Sequence, residues 1–238
     1  MALEGKRIVV LGGTSGIGLA TAQAAVQAGA QLVIVSRNPA RVEEARKQVK
    51  GAEGHALDLA DAKAVERFFA TLGAFDHLVF TAGETLQLDT LAKTDLAAAR
   101  QFFDLRFWGA YQAAKFGAGQ IRVGGSITFT SGIASQRPRA GWALGASICA
   151  AMEGLTRALA VELAPVRVNI VAPGVVKTPL WSNMATTDRD ALYRSQAEQL
   201  PVGHVGEAEE IAKAYLYLMN QSYGTGQVLT VDGGAVLV

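Results

Sequence analysis

Residues 7–18 read Arg7-Ile8-Val9-Val10-Leu11-Gly12-Gly13-Thr14-Ser15-Gly16-Ile17-Gly18, an unbroken apolar run that dissolves into glycines where a helical pattern begins. A continuous run of branched and long apolar residues fits a strand buried on both faces, as in a parallel sheet, better than one with a solvated side. Each glycine then has a physical use. Gly12 permits a tight turn, Gly16 lets backbone N–H groups approach a pyrophosphate, and Gly18 lets the following helix pack on the sheet. An ordinary tight strand-to-helix connection would also use glycines, so the rest of the chain has to carry the assignment.

The same alternation continues outward from this stretch. Strand-like Arg7–Leu11 leads to a helix from Gly16 to about Ala28, strand-like Gln31–Val35 to a helix from Pro39 to about Lys50, and strand-like Gly54–Leu57 to a helix near Asp61–Leu72. Strand-like His77–Phe80 then precedes a long helix from about Asp95 to Gly117. Ser126–Thr130, a helix across Gly141–Leu163, Arg167–Val171, a helix over Glu207–Met219 and Val228–Val231 complete the series. Strands separated by helices need crossover connections, so the pattern predicts an α/β fold: one Rossmann-type doubly wound parallel sheet of about seven strands, flanked by helices. Residues 1–238 read as a single domain. Only the loop-rich stretch of about 174–206 breaks the rhythm, and a segment of that length beside the C-terminal ends of the strands is expected to bind substrate.

Composition excludes several function classes. The 22 Lys and Arg nearly balance the 21 Asp and Glu, a net charge of +1, so there is no electrostatic case for a nucleic-acid or anionic-membrane partner. Half of the 238 residues are hydrophobic, enough for a sizeable core. The single Cys cannot build a disulfide framework, and His55, His77 and His204 do not form a metal-ligand spacing. The stretch from Met1 to Arg7 lacks the long apolar core of a signal peptide, and Ala140–Met152, interrupted by Gly and Ser, is too short to span a bilayer. A cytoplasmic protein whose chemistry comes from a borrowed cofactor is expected.

The spacing Gly12-x-x-x-Gly16-x-Gly18 resembles the T-G-x-x-x-G-x-G turn of the short-chain dehydrogenase/reductase family, with Leu11 in place of the Thr. Other family marks come in order: Asp58-Leu59 after the third strand, Phe80-Thr81-Ala82-Gly83 in place of N-N-A-G, Ser131 on the fifth strand, Pro173-Gly174-Val175-Val176-Lys177-Thr178 on the sixth, and Val231-Asp232-Gly233-Gly234 near the end. The resemblance covers essentially the whole chain. It implies a homo-oligomer, dimer or tetramer, acting on a small-molecule substrate with a nicotinamide cofactor. Gly12, Thr14, Ser15, Gly16, Ile17 and Gly18 are expected on the pyrophosphate, Asp58 and Leu59 near the adenine, Thr81, Ala82 and Gly83 along the cofactor, and Pro173, Gly174, Val176 and Thr178 near the nicotinamide carboxamide.

Nucleotide choice falls at Ile34-Val35-Ser36-Arg37. An acidic residue there would bind the adenosine ribose hydroxyls and repel a 2′-phosphate. Ser36 does not repel it, and Arg37 can pair with it through charge-assisted bonds worth about 1.5–3 kcal/mol. NADP(H) is therefore expected over NAD(H).

The family's catalytic positions are altered. In the family, a Tyr in Y-x-x-x-K protonates the carbonyl oxygen while the Lys lowers the phenol's pKa from near 10, a Ser polarises the same oxygen and an Asn supports the Lys. Ser131 matches the Ser. The segment Ala150-Ala151-Met152-Glu153-Gly154-Leu155-Thr156 resembles the family's segment immediately after the Lys, which places Gly145 at the Tyr position and Cys149 at the Lys position. Arg106 replaces the Asn, and no Lys, Tyr or His occurs between Ala140 and Thr156.

Losing a positioned acid costs about 10²–10⁴ in rate. Four readings compete: hydride transfer to an acceptor needing little acid help, such as a protonated imine, a quinone or an activated carbonyl; replacement of the lost groups by Arg106, Ser131 or the Arg137 and Arg139 pair; NADPH binding without turnover, as a sensor or scaffold; or removal of the pair by laboratory mutation. Cys149, among Ala, Ile and Met, reads as a buried inert thiol, although a nucleophile is the alternative. Arg106 is either catalytic or paired with a neighbour such as Asp104. Trp142 and Trp181 flank the expected substrate position, as pocket walls or as plain packing.

Overall fold

The computed structural model describes residues 3–83, 86 and 88–238; Met1 and Ala2, at the start of the Met1–Arg7 stretch, lie outside them. The chain alternates β1 (Arg7–Leu11), α1 (Gly16–Gln27), β2 (Gln31–Ser36), α2 (Pro39–Gln48), β3 (Glu53–Ala56), α3 (Ala62–Leu72) and β4 (Phe75–Phe80). It continues through α4 (Leu96–Phe103), α5 (Ala110–Gly117), β5 (Ile121–Thr130), α6 (Ala143–Glu162), β6 (Arg167–Pro173), β7 (Val176–Lys177), α7 (Thr186–Gln199), β8 (Gly206–Glu207), α8 (Ala208–Asn220) and β9 (Val228–Val231). Seven strands form one parallel sheet in the order β3-β2-β1-β4-β5-β6-β9, while β7 and β8 pair separately.

Both faces of the sheet are buried, which is why its strands read as continuous apolar runs. Along β1, Val9 and Leu11 point into one core with Phe69, Phe80, Ala113 and Met152, whereas Ile8 and Val10 point into the other with Ala22, Ala45, Ile211 and Tyr215. The first core is roofed by α3, α5 and α6, the second by α1, α2 and α8. By length and composition alone α6 could cross a membrane; here it lies on the sheet, burying Ile148, Met152 and Leu159.

Helix starts obey local chemistry. Asn38 caps α2 by accepting from the Ala40 and Arg41 N–H groups, with Pro39 in its first turn, and Asp61 caps α3 through Lys63 and Ala64. Glu207 and Glu210 form a reciprocal capping box on α8.

Two expectations need correction. The long helix expected from Asp95 to Gly117 is interrupted: Asp104–Gly109 is a π-helical turn between α4 and α5. The wider turn shifts the helix register, so Arg106 faces the end of the sheet, and such insertions cluster at functional sites. The stretch expected to be loop-rich, Gly174–Gly206, contains the 14-residue α7. Its sequence, Thr-Thr-Asp-Arg-Asp-Ala-Leu-Tyr-Arg-Ser-Gln-Ala-Glu-Gln, is polar on every face and buries only Gln196, so it carries no apolar period to announce it.

Candidate functional site

The strand order reverses between β1 and β4, and a cleft of about 970 Å³ opens there at the C-terminal ends of the strands. This is where a doubly wound sheet leaves a crevice for ligands. Every site residue expected from sequence lines this one cleft: the Gly12–Gly18 turn, Ser36 and Arg37, Asp58 and Leu59, Thr81 to Gly83, Arg106, Ser131, Trp142, Gly145, Cys149, Pro173, Gly174, Val176, Thr178 and Trp181.

At the nucleotide end, close backbone approach explains the glycines. Gly12 has φ +91°, and a Cβ on it would come within 2.5 Å of the Ala82 nitrogen. A Cβ on Gly18 would overlap the Gly12 carbonyl and the Thr81 hydroxyl. Thr81 Oγ1 donates to the Leu11 and Gly12 carbonyls at 3.2 and 3.3 Å, fastening the end of β4 to the turn after β1. The result is a bare backbone cradle at the N-terminus of α1, where N–H groups and the helix dipole favour an anion.

At the end of β2, Ser36 and Arg37 are joined on the cleft wall by Asn38 and Arg41, which sequence reading did not single out. The four-residue spacing from Arg37 to Arg41 across an Asn-Pro helix start could have suggested a shared cationic rim. Opposite them, Asp58 holds its own turn by accepting from the Ala60 N–H at 3.0 Å.

The other end of the cleft gathers side chains from five elements. Ser131 comes directly after β5, and its Oγ lies 3.3 Å from the Cys149 carbonyl oxygen and 3.2 Å from Glu153 Oε1. The family resemblance implies that this hydroxyl polarises a carbonyl; within the chain its hydrogen bonds run to α6 and to the Gly132 carbonyl. Ser135 Oγ donates to the same Glu153 oxygen at 2.6 Å. From sequence Glu153 is only the carboxyl group one turn from Cys149, with no role of its own, yet it falls on the stripe of Gly145, Ile148, Met152 and Thr156, all buried.

Cys149 lies on the cleft wall, not in the closed core. Burial raises its thiol pKa, partly offset by the Ser131 hydroxyl and the nearby Arg106 cation, so it remains a neutral thiol. Arg106 is placed by the π turn, its guanidinium 4.7 Å over the Phe102 ring and packed so closely on Gly83 that a Cβ there would come within 2.7 Å of Nη1. Around Gly145 the opposite holds: among the described residues, a Cβ would meet nothing within 4 Å beyond the helix's own backbone. Trp142 and Trp181 stand with ring centroids 6.4 Å apart, and the Trp181 indole N–H is satisfied by the Val176 carbonyl at 2.9 Å. Arg137 and Arg139 line the rim, Arg139 reaching Gln196 of α7.

Residues 12–236 match the family model described as Enoyl-(Acyl carrier protein) reductase. The short-chain dehydrogenase/reductase ucsE of an Acremonium species is 36% identical over 258 aligned residues, covering 99% of this chain and 97% of that one. The chain belongs to the short-chain dehydrogenase/reductase family. Among solved structures, a small-chain dehydrogenase in complex with NADPH is 42% identical with a TM-score of 0.88, covering 99% of this chain and all of that one. The MalC reductase/Diels–Alderase of Malbranchea aurantiaca is 30% identical with a TM-score of 0.92, over all of this chain and 98% of that one. This short-chain dehydrogenase/reductase is thus an oxidoreductase of a family that binds NAD(P)H, and its glycine cradle fits such a dinucleotide: the space that side chains would fill at Gly12 and Gly18 is kept clear.

Proposed function

We propose that this short-chain dehydrogenase/reductase is an NADP(H)-dependent enzyme that moves hydride between NADPH and a small carbonyl or imine-type substrate without a tyrosine acid. The observation that carries the reading is the single cleft that joins the glycine cradle and the Arg37 rim to the Ser131, Gly145 and Cys149 end. A cytoplasmic location is part of the same reading, and so is a homo-oligomer, which the exposed Trp108 and Tyr111, beside and on α5, support.

The turn amides of Gly12–Gly18 hold the pyrophosphate, Asp58 and Leu59 flank the adenine, and Arg37 with Arg41 receives the 2′-phosphate. Pro173, Gly174, Val176 and Thr178 border the nicotinamide. When bound, NADPH supplies the hydride. Substrate lies between Ser131, Gly145 and the Trp142 and Trp181 walls, with α7 on its outer side.

Gly145 offers no side-chain proton, and burial makes the Cys149 thiol a weaker acid than a free cysteine, so proton delivery differs from the Y-x-x-x-K scheme. Arg106 supplies a cation near Cys149, where the family's Lys would stand. A guanidinium stays protonated at working pH, so it stabilises negative charge and does not act as an acid.

The test is NADPH oxidation across ketones, cyclic imines, quinones and diketones, with NADPH binding measured in parallel. Turnover of one class supports the reading. Binding without turnover of any class favours the second reading, a silent NADPH-binding sensor or scaffold, to which Gly145 and Cys149 also point.

A further inference from the structure

Beneath the substrate end of the cleft lies a carboxyl group to which the hydride-transfer reading gives no role. Glu153 stands one turn beyond Cys149 on α6 and is only 8% exposed. Its Oε1 accepts from Ser135 Oγ at 2.6 Å and from Ser131 Oγ at 3.2 Å, and Arg157 Nη2 stands 3.7 Å from its Oε2. Ser131 Oγ also lies 3.3 Å from the Cys149 carbonyl oxygen and 3.4 Å from the Gly132 carbonyl oxygen. Each of these three partners is an acceptor, and a hydroxyl has one proton. The Glu153 oxygen is the nearest of the three at 3.2 Å, so the proton points there, into the protein, and lone pairs remain for the Cys149 thiol and for the cleft that Ser131 lines.

We propose that Glu153 is a positioning residue that makes Ser131 an acceptor toward the substrate, and that the cleft therefore takes an N-protonated imine, whose N–H donates to Ser131, in preference to a ketone. The inference rests on the oxidoreductase reading and narrows its substrate class. A ketone oxygen gaining negative charge beside Ser131 would meet lone pairs, with no proton directed at it. An N-protonated imine meets an acceptor.

The balance of atoms also closes without an acid from the protein. The imine carbon takes the hydride, the C=N electron pair becomes the nitrogen lone pair, and the proton already on nitrogen stays there. The product is a neutral secondary amine. This agrees with Gly145, which has no side-chain proton, and with the Cys149 thiol, which burial makes less ready to give its proton up.

Arg106, Arg137 and Arg139 line the same cleft and oppose any cation in it, so the decisive comparison is between two cations of equal charge. NADPH oxidation is measured with protonated 3,4-dihydroisoquinoline and with its N-methyl iminium salt, which lacks only the N–H, and with 2-decalone as the ketone. Wild type should favour the N–H cation by about tenfold to a hundredfold in kcat/KM, the range of one hydrogen bond to a charged group. Ser131→Ala should bring that ratio to within about twofold of unity. Glu153→Gln, whose amide N–H₂ can donate to Ser131 and release the hydroxyl proton toward the cleft, should lower the ratio at least about fivefold.

The ratio is internal to each variant, so lost stability alone does not move it, and Ser131→Ala carries the test if Glu153→Gln fails to fold. Equal rates for the two cations in wild type, or faster reduction of 2-decalone than of the N–H cation, overturn this inference and leave the oxidoreductase reading standing. No oxidation with any of the three or with the quinones and diketones, while NADPH still binds, overturns both.

Discussion

Replacing His77 should flatten the pH dependence of stability by an amount that the fold itself sets. His77 is 3% exposed on β4, its Nδ1 2.9 Å from Ser126 Oγ. Burial above all, with help from the Arg167 cation, pulls its pKa down to about 4, against a smaller upward pull from Asp76. In the unfolded chain an imidazole titrates near 6.5. Between those values the unfolded state binds a proton that the folded state refuses, so stability is fully present above about pH 7 and is lost as pH falls toward 4. Linkage puts the loss at about 2 kcal/mol by pH 5 and about 3 kcal/mol by pH 4.

The assay is urea denaturation of wild type and His77→Leu at fixed protein concentration, from about pH 7.5 down to about pH 5. The variant strands the Ser126 hydroxyl, a cost of about 1–3 kcal/mol at every pH, so slope and not level is the readout. Wild type should lose about 2 kcal/mol more than the variant across the range. Asp76 stays out of this window: burial pushes its carboxyl up, but bonds from the Arg7 N–H, Lys6 and Arg122 outweigh that and hold it below the usual value, so its contribution is lost only below about pH 4. Parallel curves for the two chains would refute the reasoning.

Three further outcomes are expected. Gly18→Ala drives a methyl group into the Gly12 carbonyl and the Thr81 hydroxyl; it should cost about 1–3 kcal/mol of stability and weaken NADPH binding more than about tenfold, and calorimetric titration with a melting curve showing neither would contradict the cradle. Arg37→Ala should weaken NADPH by about fivefold to thirtyfold at low salt, less at high salt because the residue is exposed, and leave NADH nearly unchanged. Gly145→Tyr combined with Cys149→Lys should raise 2-decalone reduction at least about tenfold, since no described residue crowds the Tyr Cβ and its phenol restores an acid; no gain in kcat/KM would mean that the pocket has lost the shape such an acid requires.

Much of the architecture was legible because it is written in periodicity. The limits of β1 and β9 coincide with those of their apolar runs, Arg7–Leu11 and Val228–Val231. β4 and β5 begin earlier than the apolar pattern suggests, at Phe75 and Ile121. Near their starts stand Asp76 and Arg122, which pair with each other, Asp76 also taking Lys6, at the N-terminal ends of these central strands. Long-range ion pairs leave no mark on local pattern. The π turn at Asp104–Gly109 was equally hidden, since one extra residue per turn looks like ordinary drift in a helical period.

At the site, the backbone-determined half was readable from the glycine turn together with the order of the family marks along the chain, whereas the half built from contacts was not. Glu153 acquires its meaning from Ser131 and Ser135, 22 and 18 residues away in sequence. Arg41 acquires its place from the helix start at Asn38.

The emptiness around Gly145 has a consequence for how this scaffold can change. A glycine in a helix costs up to about 1 kcal/mol relative to alanine, and no described residue within 4 Å of its missing Cβ forbids a replacement. Position 145 is therefore a place where stability and pocket volume trade against each other directly: alanine would firm α6 and trim the cleft by one methyl, and progressively larger residues would trim it further without displacing a neighbour at the point of attachment. A lineage or a designer can move along that series one substitution at a time, resizing what the enzyme accepts while the cradle that holds its cofactor, at the opposite end of the same cleft, stays as it is.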